Sequence, residues 1–150
     1  MLFSVDPGDL VMRLGQLVLV VPPEVDHLDA KRVAVGWKDT REARRAVWDA
    51  LPFLKRASQV VVISVDDGDG AADPQDIVGL LQVHDVYATS VRKDACGSAA
   101  SEALVDAASE QAADLLVAGA YGHGRLREWA FGGVTRDLLA YAPICCLMSH

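Results

Sequence analysis

Four short apolar runs constrain the fold more than any other feature: RVAVGW at 32–37, VVVISV at 60–65, LLVA at 115–118 and ICCLM at 144–148. Each is apolar almost throughout instead of alternating, the pattern of a strand covered on both faces. Helical spacing fills the gaps between them. After the first run Thr40 is a good N-cap for a helix with Ala43, Ala46, Val47, Ala50, Leu51 and Leu54 inward. Arg41, Glu42, Arg44 and Arg45 fall on the outer side, and Pro52 should kink the helix or end it early. A weaker helix over 74–84 buries Ile77, Leu80 and Leu81. Residues 86–91 alternate and read as a strand near an edge. Ser98 is placed to cap a helix with the stripe Ala100, Ala103, Leu104, Ala107, Ala108 and Gln111, and a last helix runs over 134–142. Strands alternating with helices predict an open parallel sheet, helices on both faces, joined by right-handed crossovers.

Composition narrows the function. A chain of 150 residues, half of them apolar, supports one compact domain with a real core. A net charge of −7 argues against electrostatic binding of nucleic acid. No apolar run has the length of a membrane span, and the N-terminus lacks the basic-then-apolar order of a signal peptide. Cys96, Cys145 and Cys146 show no metal-ligand spacing, and adjacent Cys145 and Cys146 should point to opposite faces of a strand. Reduced, buried thiols in a cytoplasmic protein are the simplest reading. Asp67, Asp69 and Asp73 fail the calcium-loop pattern, because Ala71 and Ala72 stand where a ligand and glycine belong. No nucleophile elbow is visible, and no Ser/His or Cys/His pair can be placed.

The N-terminal stretch is unusual. Residues 9–21 lie without gaps on residues 137–149, each a helical stretch that breaks at Gly15 or Pro143 and enters an apolar strand. The chain therefore carries two copies of one helix–strand unit. Pro22, Pro23 and Glu24 open an acidic linker without periodicity. The expected organisation is a partial unit and linker over 1–30, then a complete domain over 31–150.

Between the fourth strand and the last helix lies GAYGHGRLREWAFGGVT, residues 119–135. A buried strand, a glycine-rich loop and a helix N-terminus form an anion site, because glycines let the backbone approach and the first helical N–H groups point at the charge. The Walker pattern fails at Arg125-Leu126, and the dinucleotide fingerprint fails at Arg127. The alternative is that these glycines only shape a tight loop.

The spacing resembles that of the universal stress protein family: Gly119, two residues, Gly122, nine residues, Gly132. The family then places Ser or Thr, where this chain has Gly133, with Thr135 the nearest hydroxyl. The resemblance implies an adenine-nucleotide alpha-hydrolase-like sheet of order 3-2-1-4-5, with residues 36–40 facing residues 119–135 across one crevice. It implies ATP or a related adenine nucleotide, with or without magnesium, bound as a regulatory state with little or no turnover. Tandem chains occur in the family, and the N-terminal unit resembles the end of a first copy.

The binding residues so implied are Gly36, Trp37, Lys38, Asp39, Thr40, Val65, Gly119, Tyr121, Gly122, His123, Gly124, Arg125, Gly132, Gly133, Val134 and Thr135. Lys38 stands where the family usually has an aspartate, and an ammonium only donates where a carboxylate accepts. It is read either as a phosphate contact or as closing the pocket by pairing with Asp39 or a neighbour. Trp37 either stacks on adenine or packs under the adjoining helix, the commoner fate. The competing function is a dimeric interaction module of the same fold without nucleotide. In either case the resemblance implies a homodimer through Ile144, Cys145, Cys146, Leu147 and Met148. The extra strand of Leu17, Val18, Leu19, Val20 and Val21 is expected to take part, in its own chain or exchanged.

Overall fold

The computed structural model describes residues 13–68, 70–119, 137–138 and 141–150. Among the described residues six strands and three helices carry the fold: β1 (Val18–Val20), β2 (Arg32–Trp37), α1 (Arg41–Arg56), β3 (Gln59–Asp66), α2 (Gln75–Val83), β4 (Ala88–Asp94), α3 (Ala100–Glu110), β5 (Leu115–Gly119) and β6 (Cys145–Ser149). Residues 137, 138 and 141 are helical as well. The six strands form one sheet of order β1-β6-β5-β2-β3-β4. The five strands from β2 onward are parallel and keep the expected 3-2-1-4-5 order, while β1 adds to β6 antiparallel.

The apolar runs become strands because both faces are covered. Val33, Val35, Val60, Val62, Leu115, Val117, Cys145 and Leu147 join one core cluster with α1 and α2. Their alternates Ala34, Val61, Ile63, Leu116, Ala118, Cys146 and Met148 join the other, with Leu104, Ala107 and Ala108 of α3 and with Leu138. Cys145 and Cys146 thus take opposite faces, as adjacent strand residues must.

Several local expectations are corrected by packing. Pro52 does not end α1, which runs on to Arg56. Leu54, buried beyond the proline, holds the last turn to the sheet. Ser98 does not cap α3: its hydroxyl donates back to the Ala95 carbonyl, and Ala99 is the N-cap without a side-chain bond. β4 begins two residues later than the alternating pattern suggests, with Val86 buried ahead of it in the core of the α1 face. Glu42, assigned to the outside of α1, is only 2% exposed. Among the described residues, no helix is long and apolar enough to cross a membrane.

Candidate functional site

The sheet parts at one place. β2 stays paired with β3 out to Trp37 opposite Ser64, and β5 with β6 out to Gly119 opposite Ser149. The β2–β5 ladder stops earlier, at Val35 opposite Val117. Beyond it β2 continues beside β3 on one side, and β5 continues beside β6 on the other. This is the switch in strand order where open parallel sheets form a crevice. Gly36 through Thr40 and Gly119 meet there. Tyr121, Gly122, His123, Gly124, Arg125, Gly132, Gly133, Val134 and Thr135 lie outside the described residues.

Trp37 belongs to the core cluster beside α1, so packing is its fate. At 5% exposure its ring is nearly enclosed, and the Arg44 guanidinium lies 5.7 Å from its centroid. Its indole N–H is buried with no acceptor among the described residues, a donor whose desolvation costs about 1–3 kcal/mol. Arg44 also pairs with Asp39. Lys38 takes the neighbour-pairing option: its Nζ lies 3.7 Å from Asp67 Oδ2, with the lysine 66% and the aspartate 15% exposed. An ion pair this open contributes at most about 1 kcal/mol.

Thr40 acts as read from sequence. Its Oγ1 accepts from the Ala43 N–H at 3.2 Å and caps α1. The first turn of α1 then rests on the end of β5. A Cβ added to Gly119 would lie 2.5 Å from the Ala43 nitrogen and 2.6 Å from the Glu42 carbonyl carbon. Glycine at 119 is therefore required by the close approach of a helix backbone. That approach also buries Glu42, whose carboxylate stands at the positive end of α1 and accepts from Arg41 at 3.3 Å. A Cβ on Gly36 would meet only the Leu104 methyls, 2.9 Å away at the nearest. Val65, at the end of β3, is partly buried against the α3 face.

Asp67, Arg44 and Glu42 are neighbours of the crevice: from the sequence Arg44 and Glu42 fall on the outer side of the helix, and Asp67 carries no role beyond a failed calcium-loop pattern. For Asp67 a signal exists: parallel β2 and β3 put the loops that follow them at the same end, so residue 67 must lie near residues 38–40. Asp66 fixes that loop by accepting the Gly68 and Gly70 N–H groups. Burial pushes the Cys146 thiol up to about 12 and raises Cys145 too, so neither is poised as a nucleophile. Among the described residues no group of three or more His, Cys, Asp or Glu could hold a metal ion.

Among protein families, residues 29–150 match the universal stress protein family. No curated protein sequence matches the chain. Solved structures share the fold. A universal stress protein from Archaeoglobus fulgidus superposes with a TM-score of 0.67 at 19% identity, covering 89% of this chain and 49% of its own. The chain thus spans about half the length of that relative. UspA from Lactobacillus plantarum gives 0.57 at 15% identity, covering 83% of this chain and 100% of its own. A protein of the same family from Burkholderia pseudomallei gives 0.54 at 21% identity, over 79% and 95%.

Proposed function

Because this chain belongs to the universal stress protein family, as residues 29–150 establish, we propose that it binds ATP or a related adenine nucleotide at the β2–β5 crevice. The parting of the ladder beyond Val35 and Val117 carries this reading, since it opens the sheet where nucleotides enter such folds. Gly36, Lys38, Asp39, Thr40 and Gly119 form the β2 and β5 side of the site, with Val65 at the end of β3 and Trp37 packed beneath. The glycines, His123 and Arg125 of the 119–135 loop, with the N–H groups of residues 133–135, take the phosphates, with magnesium where the nucleotide brings it. Binding acts as a regulatory state in a stress response, with little or no turnover, in a cytoplasmic protein that forms homodimers through its last strand.

A second reading has support of its own. Lys38 is held by Asp67, and the space beside Gly119 is filled by the first turn of α1. Both suit an interaction module of the same fold that has no nucleotide. Acid extraction of purified protein with mass spectrometry, followed by calorimetric titration with ATP, separates the two. Co-purified adenine nucleotide, or saturable binding, supports the first. A clean extract with no heat of binding at millimolar ATP overturns it.

A further inference from the structure

α1 turns apolar surface toward water. Arg41, Arg44, Trp48, Leu51 and Lys55, spaced three and four apart, fall on one side of the helix. Trp48 is 46% exposed and meets the ring of His84, the C-cap of α2, edge-on with centroids 4.8 Å apart. With Val47, Leu51, Leu80 and Leu81 these two rings line a shallow groove between the helices. It lacks the depth for a small molecule, and its shape suits an extended chain laid across it. Val83, next to His84, is 77% exposed. Contiguous apolar surface rimmed by charge marks an interaction site.

The chain's own N-terminal segment starts beside this groove. Arg45 is three residues before Trp48 and so its neighbour on the helix surface. Its guanidinium donates to the Gly15 carbonyl at 2.6 Å. The segment ahead of Gly15 therefore sets out from the outer face of α1, one turn from Trp48. Residues 1–12 lie outside the described residues and read MLFSVDPGDLVM. Phe3 and Val5, two apart, share one face when the backbone is extended, and Ser4 takes the other. Residues 6–12 have only the width of one helix to cross, about 10 Å, which seven residues span even at helical rise. Asp6 and Asp9 fall in that stretch, and Arg41 and Arg44 on the helix below are 76% and 55% exposed. Reach, apolar pattern and charge all match.

We infer that the α1–α2 groove is a docking site for residues 3–5 of the same chain, with Phe3 and Val5 laid over Trp48 and His84 and Asp6 drawn to the arginines of α1. The docked segment covers an apolar face that the sheet leaves open, and it does so whether or not the crevice holds a nucleotide.

A nitroxide on Ser4→Cys tests this in the full chain carrying Cys96→Ser, since Cys145 and Cys146 are buried. In isotope-labelled protein the nitroxide should broaden the Trp48 indole N–H, identified by its loss in Trp48→Phe, and the His84 amide. The amides of Ala107 and Ala108, across the sheet, should keep the intensity they have with the label reduced. Adding Phe3→Asp/Val5→Asp should restore both groove signals, because carboxylates cannot lie on an apolar floor. Groove signals broadened no more than those of α3 overturn the inference, and so does broadening that survives the acidic pair. An equal mixture of nitroxide-bearing protein without isotope and isotope-labelled protein without nitroxide should show no broadening; broadening there would mean that a second copy supplies the segment, which also overturns it.

Discussion

Replacing Gly119 by alanine tests the seat of α1 on β5. The added methyl would stand 2.5 Å from the Ala43 nitrogen, 2.6 Å from the Glu42 carbonyl carbon and 2.9 Å from the Ala43 Cα. Non-bonded heavy atoms rest at about 3.5–4.0 Å, so the first turn must retreat by roughly 1 Å. It cannot do so by changing a rotamer, since all three contacts are backbone. Overpacking typically costs about 1–3 kcal/mol, and the rigid neighbour puts this case at the upper end. Alanine restricts the unfolded chain and returns about 0.4–1 kcal/mol. The net loss is then about 2 kcal/mol, or about 4–8 °C in Tm for a domain of this size. Urea unfolding followed by tryptophan fluorescence should show a lower midpoint at unchanged slope. Gly79→Ala is the control, since it lies in α2 with open space where its Cβ would be. There the same substitution should stabilise by about 0.5–1 kcal/mol. A Gly119→Ala protein as stable as its parent would refute the argument that α1 backbone fills this space.

Pro52→Ala restores an N–H for the Trp48 carbonyl inside α1. Removal of a helix-interior proline, less its unfolded-state benefit, should raise stability by about 1–2 kcal/mol in the same assay; a fall would mean the ring is needed for packing. In native protein at pH 8, a thiol reagent should modify exposed Cys96 quickly and buried Cys145 and Cys146 only after unfolding; three fast-reacting thiols would contradict their burial. Cys146 ionises near 9.0 in the unfolded chain and at about 12 when folded. Its contribution to stability is therefore whole below pH 9 and falls above it by roughly 1.4 kcal/mol per pH unit, which urea midpoints against a Cys146→Ala reference will read. Lys38→Asp should tighten ATP binding, because a carboxylate accepts from ribose hydroxyls; weaker binding would make Lys38 a phosphate contact.

Much of the architecture is local in origin and was legible in the chain alone. Uninterrupted apolar runs can satisfy both faces only inside a two-layered cover, so β2, β3, β5 and β6 follow from residue type. Thr40 carries its own capping oxygen, and the opposite facing of Cys145 and Cys146 follows from strand period alone. The β2 half of the crevice was readable for the same reason, since it begins where a strand ends and a capped helix starts. What tertiary structure decided is which atoms fill the space that local pattern leaves open. Glu42 lies inside because α1 lands on the end of β5, not because of its place in the helical period. Gly119 is small for the sake of Ala43, far away in sequence. Lys38 finds Asp67 because two parallel strands end together. That the extra strand covers the last one was expected from the sequence; the antiparallel register of β1 on β6, and its place within the same chain, only the tertiary structure decided, because pairing between distant segments is not expressed in either one's periodicity.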